Sequence, residues 1–80
     1  MKTDSKGNIY TEIKNIRITH VKSANRAPDK DWPGKDVIRI QAYRDGTSKS
    51  LHRGAEIPID NKSDISLIID KFKEIYSNLD

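Results

Sequence analysis

The side chains best suited to chemistry in this chain are cations and aromatic rings spread between positions 17 and 53. In residues 37–44, apolar side chains alternate with Arg39, Gln41 and Tyr43, so a strand there would carry this polar set on one face. Binders of single-stranded nucleic acid combine cations that hold phosphates with rings on which bases stack. The candidate binding set is Arg17, Lys22, Arg26, Trp32, Lys35, Arg39, Tyr43, Arg44, Lys49 and Arg53.

The charge of the chain is divided between its two parts. Residues 1–59 contain twelve Lys and Arg against seven Asp and Glu, a net of +5, whereas residues 60–80 contain three against five, a net of −2. The basic part has the patterns of strands and loops, and the acidic part has the pattern of one helix. A basic sheet backed by an acidic helix predicts that the sheet meets an anionic partner.

Catalysis has little support in the sequence. The chain has no cysteine, and His20 and His52 lack the spacing of a catalytic triad or of a zinc site. Its glycines are isolated, so no glycine-rich phosphate loop is present. The sequence therefore predicts a protein that is not an enzyme and that uses neither a metal nor another cofactor.

Residues 9–21 are strand-like but contain a change of phase. Apolar residues occupy odd positions up to Ile13 and even positions from Ile16 onward. Such a slip requires a bulge or a tight turn near Lys14 and Asn15, so the segment is either one bulged strand or a short hairpin. Residues 1–8 are polar and are expected to form a flexible leader before a single domain at 9–80.

Residues 22–36 contain two prolines and predict a long loop, of a length that is often functional. The clearest strand, 37–44, follows it, and Asp45 with Gly46 predicts a tight hairpin turn. The returning strand starts between positions 47 and 51 and ends at position 59. Within it, Gly54 indicates a bulge or a close backbone approach, and Pro58 favours an edge position.

The last segment predicts one amphipathic helix. Apolar residues recur at steps of three and four from Ile65 to Leu79, and Leu67 lies outside this stripe. Ser63 is the expected N-cap, with Asp60 as a competitor. We expect the stripe to be buried, partly in a dimer interface. The predicted fold class is α+β, a twisted antiparallel sheet of about four strands followed by one C-terminal helix packed on one face.

The size of the chain favours association with a second copy. Its 80 residues, 34% of them hydrophobic, supply a thin core that no disulfide or thiolate metal site can reinforce. A homodimer joined through the C-terminal helix is the expected remedy. No apolar run approaches the length of a membrane span and no secretory signal is evident, so we expect a cytoplasmic protein that does not contact membranes.

Three successive segments carry a family resemblance: GKDVIRIQAY at 34–43, HRGAEIPI at 52–59 and the amphipathic helix at 60–79. Together they resemble the single-stranded-DNA-binding domain of the transcriptional positive cofactor four family, and the part before them resembles it only in topology. The resemblance implies four antiparallel strands and a helix, a homodimer joined mainly through the helices, and a sheet channel for one DNA strand. By position, that strand would be contacted by Lys35, Arg39, Tyr43 and Arg53.

The chain departs from this family at one aromatic position. Family members usually carry a tryptophan near the end of the central strand, where this chain has Arg44, and its only tryptophan, Trp32, lies in the preceding loop. Trp32 would either cover the ligand or plug the end of the core. Tyr43, on the polar face of its strand, is expected to stack on a base without supporting the core.

We therefore expect a binder of single-stranded DNA with low sequence specificity, with RNA as an alternative ligand. The competing expectation is a small protein-interaction or inhibitor module. Such a module would dock through the loop at 22–36 or through an edge strand, with Trp32 as its anchor.

Overall fold

The expected order of strands followed by a helix is present in the computed structural model, which describes residues 1–44 and 50–79. The elements are β1 (Lys2–Thr3), β2 (Ile9–Ile13), β3 (Ile16–Val21), β4 (Asp36–Ala42), β5 (Ala55–Ile59) and α1 (Lys62–Asn78), with a 3₁₀ turn at Ser23–Asn25. The strands form one antiparallel sheet in chain order. The α+β class is confirmed, and β5 is an edge strand, as Pro58 predicts. The expected turn at Asp45 and Gly46 lies outside the described residues.

The sheet begins earlier than the sequence pattern indicates. β1 pairs with the start of β2, so part of the expected flexible leader is a strand. Between these strands the Asp4 carboxylate accepts the backbone N–H of Asn8 at 2.9 Å, which closes the connecting turn. Residues 9–21 form a hairpin rather than a bulged strand, because Ile13 pairs with Ile16 across a two-residue turn.

The two faces of the sheet are covered by different parts of the chain. On one, the helix face, Ile18, Ile40 and Ile57 border a cleft against α1. On the other, the loop face, Val21 and Val37 lie opposite each other and are 2% and 0% exposed. The loop between β3 and β4 covers this second face, so the most deeply buried side chains lie on the side away from the helix.

The returning strand contains the bulge that Gly54 predicts. Leu51 bridges Tyr43 and Ala55 pairs with Ile40, so three residues of the returning strand face two of β4. Gly54 has a φ of +73°, and a Cβ atom there would lie 2.2 Å from the carbonyl oxygen of Ile40. Only glycine fits this position without displacing the strand beneath it.

The N-terminus of α1 is capped by Asn61, not by Ser63 as expected. The Asn61 side chain accepts the N–H of Ser63 at 3.0 Å, and the carboxylate of Asp64 accepts the N–H of Asn61 at 3.3 Å. The capping predicted from the sequence was therefore wrong by two residues.

The apolar stripe of α1 is only partly buried within one chain, so its expected burial would need a second copy. Ile65 and Ile68 are half-buried, but exposure rises along the helix to 55% at Phe72, 59% at Ile75 and 70% at Leu79. The helix contacts β5 more than any other strand, and the cleft between helix and sheet also reaches Ile18 of β3 and Ile40 of β4.

Candidate nucleic-acid interface

Carboxylates of the chain itself hold several of the candidate cations. The ion pairs are Arg17 with Glu12, Arg26 with Glu56, Lys35 with Asp60, and Arg39 with Glu56. The pairs at Glu12 and Glu56 lie on the loop face, since these acids stand opposite Arg17 and Arg39 in the strand register. The loop face is therefore largely charge-paired, and the sequence-based expectation of a basic sheet needs correction.

Tyr43 is part of a buried cluster rather than a free ring. It is 8% exposed, and its hydroxyl donates to the carboxylate of Glu12 and accepts from the guanidinium of Arg17. The Arg17 guanidinium lies 4.1 Å from the ring centroid of Tyr10 and 5.4 Å from that of Tyr43. The hydrogen bond from Tyr43, together with the bond from Lys2, lowers the pKa of Glu12. The expectation that Tyr43 does not support the core was wrong, because the surrounding strands enclose its ring.

Arg26 organises the loop between β3 and β4 and does not project into solvent. Its side chain is 4% exposed, and Nη1 donates to the carbonyl oxygen of Trp32 at 2.7 Å. Its Nη2 donates to the carbonyl of Asp31 and, at 3.3 Å, to Oε1 of Glu56. Arg26 therefore ties the loop to β5, a structural role that the sequence-based assignment to the ligand did not foresee.

Arg39 and Glu56 form the central ion pair of the loop face. Oε2 of Glu56 accepts from Nε of Arg39 at 2.9 Å and from its Nη2 at 2.7 Å. Partial burial acts to raise the pKa of Glu56, but the hydrogen bonds and charges of Arg39 and Arg26 outweigh it and lower that pKa. Glu56 is therefore ionised at neutral pH.

A polar cleft of about 290 Å³, here called the loop cleft, opens beside this pair. Its lining is Lys30, Asp31, Trp32, Arg39, Arg53, Gly54 and Glu56. Trp32 is 46% exposed, so it covers the cleft and does not plug the core. Within residues 1–44 and 50–79, neither Lys30 nor Arg53 takes part in an ion pair. The loop cleft thus combines an accessible ring with two uncommitted cations.

The structure brings three of the predicted site residues together in the loop cleft: Trp32, Arg39 and Arg53. Lys22 and Arg44 are exposed near the ends of β3 and β4 and do not line it, nor does Lys35. Lys49 lies outside the described residues.

Four lining residues were missed by the sequence-based site assignment: Lys30, Asp31, Gly54 and Glu56. Lys30 could have been found from the sequence, because it is a cation only two positions before the aromatic ring of Trp32. Glu56 faces Arg39 only through the β4–β5 register, so no local pattern marks it.

A histidine–carboxylate pair joins the end of β3 to the start of β4. His20 Nε2 lies 2.8 Å from Oδ2 of Asp36, and the backbone N–H of Ser23 donates to Oδ1 of the same carboxylate at 2.9 Å. In the described ranges, no group of three or more His, Cys, Asp or Glu side chains is placed to hold a metal ion. No described helix has the length and apolar character to cross a membrane.

The fold and the cleft define an α+β protein with an open five-stranded antiparallel sheet, a C-terminal helix and a polar cleft beside an exposed tryptophan. No protein-family model, curated protein or solved structure matches the chain. Its function is therefore inferred from its own geometry and charges.

Proposed function

We propose that this chain is a single-stranded nucleic-acid-binding protein of low sequence specificity that acts without catalysis, and that single-stranded DNA is its main ligand. The observation that carries this proposal is the loop cleft, where the half-exposed ring of Trp32 stands beside Arg53 and Lys30. A flat ring next to uncommitted cations suits a base that stacks while its phosphate is held.

The arrangement favours a single strand over a duplex. A base must leave its own stack before it can lie on a protein ring, and the bases of a duplex are not free to do so. Cations that contact phosphates read no sequence, so discrimination among bases should be low. Single-stranded RNA offers the same faces and phosphates and is the alternative ligand. We expect the protein to act in the cytoplasm, which the cysteine-free sequence favours.

On this proposal the contacts concentrate at the loop cleft rather than along the whole sheet. Arg17 and Arg26 are committed to internal partners and support the fold, and Tyr43 supports Arg17. A strand leaving the cleft would meet exposed Lys22, Lys35 or Arg44 at the rim. Such rim contacts contribute less, because exposed charges are screened by solvent and salt.

We also propose that two copies associate through α1. A compact 9.1 kDa monomer is expected to expose about 4,900 Å², whereas this chain exposes 6403 Å². Its radius of gyration is 13.7 Å, against about 11.6 Å for a compact chain of this length. The excess exposed area of roughly 1,500 Å² falls within the range of about 1,000–2,500 Å² that each partner buries in an obligate homodimer.

Apolar surface for such a dimer is available on α1, on the sheet beneath it and on the β2–β3 hairpin. An apolar cleft of about 280 Å³ lies between the helix face of the sheet and α1, and the exposed side chains of Phe72 and Ile75 border an apolar groove beside it. Ile13 and Ile16 add exposed apolar surface at 63% and 36% on the β2–β3 hairpin. A second copy of α1 would cover surface that one chain leaves in water.

The nucleic-acid proposal is tested with labelled single-stranded and duplex oligonucleotides in a salt series, with fluorescence of the only tryptophan as a second readout. We expect binding to the single strand, quenching of Trp32, and affinity that falls as salt rises. Arg53→Ala should weaken binding to all sequences similarly and reduce the salt slope by about 0.7. Lys73→Ala, on α1 and away from the cleft, removes the same charge and should change neither quantity.

Three results would count against the proposal. These are the absence of binding, affinity that does not respond to salt, and equal effects of the Arg53 and Lys73 substitutions. Absent or salt-insensitive binding would favour the protein-interaction module, in which the exposed Trp32 anchors a partner.

A further inference from the structure

Glu56 lies among the cations that the proposed function assigns to phosphate. Its Oε2 accepts from both Nε and Nη2 of Arg39, at 2.9 and 2.7 Å. These two atoms form the edge with which an arginine grips a phosphate through two parallel hydrogen bonds. Glu56 therefore occupies the place on Arg39 that a ligand phosphate would take.

We propose that Glu56 competes with nucleic-acid phosphate for Arg39, so that the chain binds a strand less tightly than its cations alone would allow. This inference rests on the proposed function and adds to it a residue that limits affinity. Its premise is that the pair can open and exchange partners without damage to the fold.

Access and compensation both support an exchange. The Arg39 side chain is 32% exposed and lines the loop cleft, so a phosphate can reach it. Glu56 has a second partner in Arg26, whose Nη2 lies 3.3 Å from Oε1. When Arg39 turns to a phosphate, the carboxylate therefore keeps one guanidinium and is not left buried without a partner.

The exchange replaces one charge-assisted interaction by another of the same kind. An anion on Arg39 is present before and after binding, so the net gain from this residue is small. Glu56 also repels any phosphate that enters the cleft while the ion pair is closed. Both effects lower affinity relative to a cleft in which Arg39 is free.

The test is Glu56→Gln, which keeps the size and one acceptor oxygen but removes the charge. With a labelled oligothymidylate at low salt, we expect affinity to rise about three- to tenfold and the salt slope to steepen by about 0.7. Adding Arg39→Ala to this variant should abolish the gain, because Arg39 carries it. Asp31→Asn removes a charge from the same cleft without releasing an arginine and should give a smaller gain.

A measurement on the wild-type protein covers the case in which the variant folds poorly. The side-chain Nε–H resonance of Arg39 should shift on addition of the oligonucleotide, because its acceptor changes from carboxylate to phosphate. An unchanged Arg39 resonance while the Trp32 indole resonance shifts would overturn the competition.

The remaining outcomes separate this inference from the proposed function. Wild-type binding that depends on Arg53, with equal affinity in Glu56→Gln, overturns the competition and leaves the proposed function standing. An equally large gain from Asp31→Asn also overturns it. Binding by Glu56→Gln with none by the wild type supports competition in its strongest form, and no binding by either protein overturns both.

Discussion

Phe72→Ala tests whether the exposed stripe of α1 belongs to a dimer interface. Phe72 is 55% exposed in the single chain, so a little under half of its burial stabilises the protomer. Full burial of a phenylalanine contributes about 1.5–3 kcal/mol, of which about 0.7–1.4 kcal/mol is realised within one chain. The rest, about 0.8–1.6 kcal/mol per protomer, is available only to a second copy.

Two-fold symmetry doubles the part of the Phe72 burial energy that a second copy supplies. Each substitution occurs twice across the interface, so association should weaken by about 1.6–3.3 kcal/mol. The dissociation constant would then rise roughly 15- to 250-fold. Sedimentation velocity over a dilution series measures this change, and urea denaturation measures the smaller loss of protomer stability.

Ile59→Val serves as the matched control for Phe72→Ala. Ile59 is 6% exposed and is therefore already buried in one chain. Removing one of its methylene groups should lower the free energy of unfolding by about 0.5–1.5 kcal/mol without changing the dissociation constant of the dimer. A wild-type protein that stays monomeric at high concentration would refute the dimer. An equal effect of the two substitutions on association would refute the role of Phe72.

Three further predictions concern the fold and its charges. Gly54→Ala should lower the free energy of unfolding by more than about 2 kcal/mol, because a steric clash adds to backbone strain. Gly34→Ala is the control, since Gly34 has a φ of +76° but open space around it, and it should cost less. Equal losses of stability would show that the clash at Gly54 does not matter. Tyr43→Phe should lower Tm by about 4–8 °C without changing affinity for a single-stranded oligonucleotide. A loss of that affinity at unchanged Tm would indicate that Tyr43 contacts the ligand directly. The backbone N–H of Ser23 and the imidazole of His20 lower the pKa of Asp36. Asp36 therefore contributes to the free energy of unfolding above the usual carboxyl pKa, and this contribution is lost as pH falls through the lowered value. In urea denaturation over a pH series, Asp36→Asn should reduce the loss of stability at acid pH, and an unchanged loss would contradict this role.

Local backbone rules in the sequence determined much of the fold. Alternation and the three-to-four spacing of apolar residues indicate the strands and the helix, because each pattern follows from the geometry of its own element. Gly54 and Pro58 indicate a bulge and an edge for equally local reasons, a positive φ and a missing donor. β1 escaped prediction because two residues are too few to show a period.

The site was predicted less completely, because its character depends on which side chains meet across strands. The sequence shows that Arg39 and Tyr43 share a polar face, and the structure keeps them on the loop face. Only the strand register places Glu56 opposite Arg39, and only the packing of neighbouring strands encloses Tyr43. These contacts join residues far apart in the chain, and no local pattern specifies them.

The sequence by itself determined that the chain contains a sheet, an amphipathic helix and a cationic loop with a tryptophan. Tertiary structure decided which cations are neutralised, that Trp32 is exposed at a cleft, and that one chain alone leaves much of the stripe of α1 exposed. The physical reason is that the spacing of residues along a strand or helix shows only which side chains lie on the same face of that element. The burial and the charge partner of each side chain depend on the element that packs over that face.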